Sequence, residues 1–383
     1  MTLSIKTTAG ILAQALITTG RVTEKRNTIP VLGMVLLRAD QDGIRLDATD
    51  LDIALTLPVK GNVVAPGAVL LDGGKSLRTM LCAAPPDDMV TVTQEDARVV
   101  VTCGPLRIEE DAVPEEEWAT FIEAAAEDVT ATIQIAARDL VALMEAVWHC
   151  ISTEETRYYL NGICFSAEGQ ELLLVATDGH RLMSTQLPVL RGPVPLPNMI
   201  VPTKLCRFLR EMLPQVQGDW PIDLSFTPER NRVVINACFW RIAAKTIDGT
   251  FPEWRRVLPK AEVLRSPLVV RRPEFLAAML GALTAGRPHS QPAWFRPSGG
   301  VLHIDLKDDR EPGRTVLVKV PGDAAEWQAP EGAAGFCAQL RYVADICQAM
   351  PGGLEMRPNV DPDGPVEIRG QRNLGALMPM KGR

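Results

Sequence analysis

The chain of 383 residues is longer than one hydrophobic core usually fills, and 46% hydrophobic with 23% charged residues is the composition of a folded, water-facing protein. A formal charge of −7 excludes coating by nucleic acid through bulk attraction, although a basic face on an acidic body stays compatible with it. The longest aliphatic run, Val31 to Leu37, is strand-sized and far too short to cross a bilayer.

Near the N-terminus, Ile11, Leu12, Ala15, Leu16 and Thr19 fall at helical spacing with no basic head before them. That pattern predicts an amphipathic helix rather than a secretory leader, and with it a cytoplasmic protein. Ala39 to Val59 (ADQDGIRLDATDLDIALTLPV) then reads as strand, Ala-Thr-Asp, short break, strand. A second helix is expected over Asp72 to Leu81, followed by alternating strands from Met89 to Cys103.

The same order then returns. Leu140, Leu143, Met144, Val147 and Ile151 predict a helix, and Ala167 to Val189 (AEGQELLLVATDGHRLMSTQLPV) repeats the strand, Ala-Thr-Asp, break, strand pattern down to a shared Leu-Pro-Val. Pro202 to Leu213 is the second helix of this copy, and Ile222 to Ile247 its closing strands. In the last third, helices are expected over Arg271 to Leu283 and Gln339 to Met350, with strands at VLHIDL, TVLVKVP, Val366 to Gly370 and Asn373 to Pro379. Three tandem α+β units follow, each of two helices and about eight short antiparallel strands, with domains at 1–124, 125–262 and 263–383. The boundaries fall at the acidic, alanine-rich stretch Phe121 to Val129 and near Lys260 to Ser266. Edge strands at each junction allow one sheet to run from unit to unit, and closed symmetric assembly is a natural outcome.

The second helices carry matching cations: Lys75 and Arg78 in the first unit, Lys204, Arg207 and Arg210 in the second. One such face is ordinarily just a solvated surface. Its recurrence on an acidic chain favours a lining that meets phosphate without reading sequence. The third unit departs, with Gln339, Tyr342 and Asp345 on the matching face.

Catalytic signatures are missing. His180 beside Asp178 has no nucleophile elbow to serve, and His149, His289 and His303 share no metal-ligand spacing. Asp47, Asp50 and Asp52 lack the glycine and glutamate of a calcium loop, and LDGGKS lacks the first glycine of a phosphate loop. The eight cysteines form no CxxC pair and read as reduced thiols. No enzymatic activity, metal or cofactor is expected, and Asp178 before a glycine reads as a turn whose carboxylate caps backbone amides.

Four blocks in order, Ser152 to Phe165 (STEETRYYLNGICF), Leu172 to Leu182 (LLLVATDGHRL), Lys245 to Pro259 (KTIDGTFPEWRRVLP) and Met378 to Met380, closely resemble the bacterial DNA polymerase III β subunits, the sliding clamps. EKRNTIPVLGMVLL and LDATDLDIAL extend the resemblance into the first unit. It implies a head-to-tail homodimeric ring that encircles duplex DNA without sequence specificity and tethers the replicative polymerase's catalytic subunit. A clamp loader, translesion polymerases and repair proteins are the further partners it implies.

Carried over by position, the resemblance implies a partner-peptide pocket of Leu160, Thr177, Gly179, His180, Arg181, Leu182, Pro252, Arg256, Val257, Tyr342, Met378, Pro379 and Met380. Arg26, Lys75, Arg78, Tyr158, Lys204, Arg207 and Arg210 would face DNA. A ring seam needs an edge strand and an apolar cluster, for which Leu106 and Ile108 against Leu280 and Leu283 are the expected residues. The proline- and glycine-rich stretch Thr284 to Gly300 and the acidic exit of the first unit keep two alternatives open: a specialised clamp for repair or plasmid replication, and a clamp-fold scaffold that does not encircle DNA.

Overall fold

The structure is a computed structural model that describes residues 3–23, 29–72, 75–113, 118, 131–192, 196–215, 219–227, 231–237, 239–285, 292–298, 301–307, 315–320, 322, 325–327, 329, 334–350 and 352–381. The expected boundary at Phe121 to Val129 lies outside them.

One element order recurs along the chain. It runs first as β1 (Ser4–Thr8), α1 (Ala9–Thr19), β2 (Val35–Asp40), β3 (Gly43–Thr49), β4 (Ile53–Val59), β5 (Asn62–Ala65), β6 (Gly67–Leu71), α2 (Lys75–Ala83), β7 (Met89–Glu95), β8 (Arg98–Cys103) and β9 (Leu106–Asp111). The second pass is β10 (Ala131–Ala136), α3 (Ala137–Trp148), β11 (Gly162–Glu168), β12 (Glu171–Thr177), β13 (Arg181–Pro188), β14 (Leu196–Pro202), α4 (Thr203–Met212), β15 (Pro221–Thr227), β16 (Arg232–Ala237) and β17 (Trp240–Lys245). The third is β18 (Leu268–Val270), α5 (Arg272–Ala285), β19 (Pro292–Ser298), β20 (Val301–Lys307), β21 (Thr315–Val320), β22 (Ala325–Trp327), β23 (Phe336–Gln339), α6 (Leu340–Ala349), β24 (Leu354–Arg357), β25 (Val366–Arg369) and β26 (Asn373–Leu377).

The chain packs as two compact units. The first takes residues 1–137, 190–192 and 215–246, and holds a five-stranded sheet, β5-β1-β7-β8-β9, and an eight-stranded one, β10-β15-β16-β17-β4-β3-β2-β6. The second takes 138–189, 193–214 and 247–383, and holds a nine-stranded sheet, β14-β11-β12-β13-β26-β25-β24-β18-β22, and a four-stranded one, β21-β20-β19-β23. The cut crosses the repeats because the second and third repeats each end in a strand that pairs with the repeat before. β17 pairs antiparallel with β4, and β26 pairs antiparallel with β13.

The helices form where apolar spacing predicts, and their buried stripes fill the cores. Leu12, Ala15, Leu16 and Thr19 of α1 and Leu205, Cys206, Phe208, Leu209 and Met212 of α4 are buried. Helix ends differ from expectation by up to three residues, with α2 at Lys75–Ala83 rather than Asp72 to Leu81 and α5 at Arg272–Ala285 rather than Arg271 to Leu283. Two further differences have a visible cause. α3 stops at Trp148, because the Cys150 and Ile151 amides donate to Val147 and Trp148 in tightened three-residue turns, so Ile151 falls outside the helix. The aliphatic run Val31 to Leu37 is split, since Pro30, at the first position of a short 3-10 turn to Gly33, suits a helix start and the strand begins only at Val35.

Among the described residues no helix is long and apolar enough to cross a membrane, no group of three metal-ligating side chains occurs, and seven cysteines are free. Cys238 lies outside the described residues.

Candidate functional site

The repeated Ala-Thr-Asp is one turn built twice. Asp178 Oδ1 accepts the amides of His180 and Arg181, each at 2.9 Å, while Thr177 Oγ1 donates to the Arg181 carbonyl at 2.9 Å and accepts from the Gly179 amide. In the first repeat Asp50 Oδ1 accepts from Asp52 and Ile53, and Thr49 Oγ1 bridges Leu51 and Ile53 in the same way. The residue after the aspartate has positive φ in both, +87° at Gly179 and +75° at Leu51. Gly179 has a second reason to be glycine: a Cβ there would run into the Arg157 guanidinium. The expected capping role of Asp178 is therefore present.

The last strand of the following repeat meets each turn at the same place, and there the sequences diverge. The Lys245 amide donates to the Asp52 carbonyl at 2.9 Å, and the Lys245 ammonium closes the junction on the Asp52 carboxylate, also at 2.9 Å. At the second junction the Met378 amide donates to the His180 carbonyl at 2.8 Å. An exposed histidine and an exposed methionine thus stand where the first junction has an ion pair.

The strands on either side of this turn contribute Leu173, Val175 and Leu182 to a buried cluster with Leu160, Cys164, Ile200, Phe251 and Trp254, flanked by Tyr159, Ile247 and Leu258. Leu160 and Leu182 belong to this cluster and Thr177 is buried, while Pro252, Arg256, Val257 and Met378 are exposed, and Pro379 and Met380 half-buried. The Met380 amide donates to the Cys337 carbonyl at 2.8 Å, so the chain end is held by backbone bonds on both sides of Pro379. Phe251 and Trp254 are absent from the expected pocket, although both sit in the FPEW part of a block that carries the resemblance.

Arg181 turns the other way. Its Nε donates to Asp178 Oδ2 at 3.0 Å, its Nη1 to Asp345 Oδ2 of α6 at 2.9 Å, and its guanidinium carbon lies 4.1 Å from the centre of the Tyr342 ring. Arg341 meets the other Asp345 oxygen at 2.9 Å. Burial opposes the Arg181 charge, yet the Asp345 hydrogen bond and the two carboxylates hold its pKa above the ordinary arginine value. His180 stacks on Tyr342 with ring centres 6.4 Å apart. Tyr342 and Asp345, read in the sequence as part of an uneven lining face, thus point at Arg181.

Behind this cluster, both ring nitrogens of His149 are buried without a hydrogen-bond partner. Burial, reinforced by the Arg181 charge, pushes the imidazole down to about 3. The unfolded chain takes up this proton near the ordinary histidine value, so stability is lost as pH falls below it, by about 1.4 kcal/mol per pH unit. His149→Leu is expected to flatten the acid limb of a urea-stability curve by that slope; parallel curves for the two proteins from neutral pH down to mild acid would refute a ring held neutral.

Two family models match the chain: the N-terminal domain of the DNA polymerase III β subunit over residues 1–121, and its central domain over 134–253. The β sliding clamp of Caulobacter vibrioides is 29% identical over 374 residues, 94% of this chain and 95% of that one. The chain belongs to the DNA polymerase III β subunit family, the β sliding clamps. The Escherichia coli K12 clamp is 32% identical over 248 residues, 61% of this chain and 62% of that one. A crystal structure of the Caulobacter crescentus clamp with bound polyethylene glycol superposes over 100% of this chain and 99% of its own, with a TM-score of 0.88 and 26% identity. The Bartonella birtlesii clamp bound to griselimycin, 24% identical, shares the fold over 100% of both chains with a TM-score of 0.88.

In this sliding clamp the predicted cations are placed unequally. Lys204 is half-buried and Arg207 exposed on α4, one turn apart. Arg210, the next along that stripe, forks onto Glu145 of α3 with both bonds at 2.7 Å and lies 4.0 Å from the centre of the Trp148 ring. Its charge is neutralised within the protein. Arg78 is half-buried on α2 and Tyr158 exposed beside Tyr159. Arg26 and the Lys75 side chain lie outside the described residues. Of the expected seam residues, Leu106 is 44% exposed and Ile108 half-buried on β9, an edge strand; Leu280 is 48% exposed and Leu283 half-buried on α5, which packs against the edge strand β21.

Proposed function

We propose that this chain is a DNA polymerase processivity factor that does no chemistry of its own. Three clamp domains, residues 1–124, 125–262 and 263–383, join head to tail with a second copy into a ring around duplex DNA. The ring holds the replicative polymerase's catalytic subunit, the clamp loader and, in turn, translesion polymerases and repair proteins. Each partner inserts a short peptide over Leu160, Leu182, Val257 and Met378, beside the β12–β13 turn. Tethering raises the polymerase's effective concentration at the template, which is processivity without catalysis. The cytoplasm is its place of action.

The observation that carries this reading is the repeated junction. β4 and β13 occupy the same position in successive repeats, and each pairs with the last strand of the next repeat. Applied once more, the rule leaves β21, the equivalent of β4 and β13, and β9, the last strand of the first repeat, as complementary edges. Pairing β21 of one copy with β9 of another reproduces the junction, and two such seams close six repeats into a ring. The groove is supported by its make-up: a leucine, valine and tryptophan floor, a methionine that adapts to varied side chains, and polar groups at the edge. The clamp structures with bound griselimycin and polyethylene glycol show that relatives of this fold accept ligands.

Reversing Lys204 and Arg207 to glutamate is expected to shorten retention on nicked circular DNA and to lower the salt dependence of binding, by about one unit of slope for each phosphate no longer neutralised. Arg210 is left intact in this test, because a glutamate there would face Glu145 and confuse a folding defect with weaker DNA binding. Retention equal to that of the unaltered ring would remove α4 from the DNA-facing surface.

A further inference from the structure

The face of the nine-stranded sheet that carries Leu182 continues past the groove as a charged surface. Directly paired residues of antiparallel strands share a face. Leu182 pairs with Ala376, Ala376 with Glu367, and Glu367 with Arg357; in the next row Ser184 pairs with Leu374, Leu374 with Arg369, and Arg369 with Glu355. Arg369 sets Nε and Nη2 on the buried Glu367 carboxylate at 2.8 and 3.2 Å, and Arg357 does the same with Glu355 at 3.2 and 2.8 Å. One carboxylate does not exhaust a guanidinium, which has five N–H donors.

Two cavities meet on this surface. One, of about 540 Å³, is lined by Ser184, Gln186, Trp254 and three arginines, Arg255, Arg369 and Arg372, against a single acid, Glu171. The other, of about 880 Å³, shares Arg369, Gly370 and Gln371 with it and adds Arg271 and Arg357 against Glu355. On a chain of formal charge −7 this excess of arginine is local. Trp254 links the two regions, since it packs in the cluster under the peptide groove and also lines the smaller cavity.

We propose that this arginine-lined annex receives an acidic segment of the same partner whose apolar residues fill the groove. The inference rests on the groove assigned under the proposed function. Arginine suits the task because its planar fork takes carboxylates two atoms at a time, and the neighbouring glutamates, by holding Arg369 and Arg357 in place, reduce the ordering cost of a new contact. The annex then supplies selection among partners: an acidic flank is favoured and a basic flank repelled, whatever the apolar core.

The test uses a pentapeptide selected from a random library on the full chain, and accepted as a groove ligand only if Val257→Asp abolishes its binding. The peptide is then remade with four glutamates, four serines or four lysines at either end, and titrated at low and high salt. The glutamate form is expected to bind about three- to tenfold tighter than the serine form at low salt, with the lysine form weaker and the differences fading at high salt. Combining Arg255→Glu with Arg372→Glu, both on exposed residues, should leave the serine form unchanged and reverse the preference. Equal affinity of the glutamate and serine forms would overturn the annex while leaving the groove intact, as would a glutamate gain that survives in the double variant. If no selected peptide is sensitive to Val257→Asp, the groove assignment fails first and the annex with it.

Discussion

Replacing Arg181 with alanine is expected to destabilise the chain by about 3–5 kcal/mol, the range found when one member of a buried ion cluster is removed. The Arg181 side chain is 11% exposed, and its two carboxylate partners, Asp178 and Asp345, 15% and 18%. Without the guanidinium, Asp345 keeps Arg341 but Asp178 loses its cation, and the Tyr342 ring loses the charge lying over it. Arg181→Lys should fall between, because an ammonium keeps the charge but cannot fork to two carboxylates and lie flat on the ring. Urea midpoints of the three proteins decide it. A loss below about 1 kcal/mol for the alanine variant would place the cluster among ordinary surface ion pairs. The same cluster ties the β12–β13 turn to α6, so the alanine variant is also expected to loosen the His180–Tyr342 stack beside the proposed groove.

Leu280→Asp is expected to convert a particle of twice 41.8 kDa into one of 41.8 kDa across a dilution series in light scattering. Leu280 is 48% exposed on α5, beside the free edge of the four-stranded sheet, where Leu317 of β21 is also 48% exposed. Exposed leucines next to an unpaired strand edge are costly in a monomer and are the composition of an interface core. A carboxylate buried there should weaken association by at least about 2 kcal/mol, or roughly thirtyfold, as expected for a central interface residue. On β9, the proposed partner edge, Glu110 shares the face of Leu106 and Ile108, so a new aspartate would also meet a carboxylate. A particle that stays dimeric with Leu280→Asp would move the seam away from α5. A wild-type chain that is monomeric throughout would favour the scaffold that does not encircle DNA.

Much of this protein is legible in its residues because local patterns carry their own geometry. A threonine and an aspartate placed within reach of the amides that follow them specify the same turn in both copies, with or without a glycine next in line. Apolar spacing marks α1, α3 and α4, and it overshoots where backbone bonds tighten an end, as at Trp148. Charge is less readable. Arg210 shares the stripe of Lys204 and Arg207, yet it is neutralised by Glu145, 65 residues away in sequence. Asp345, read as one member of a helix face, is a partner of Arg181 across a separation of 164 residues.

The sequence by itself therefore determined the repeated α+β elements, their turns and the family, since each is encoded by spacing within some twenty residues. Only the tertiary structure decided which strand edges are satisfied and which stay open, and which arginines are spent on internal carboxylates. Strand pairing joins segments that are neighbours in space alone, and a guanidinium's availability depends on whichever carboxylate the fold brings beside it.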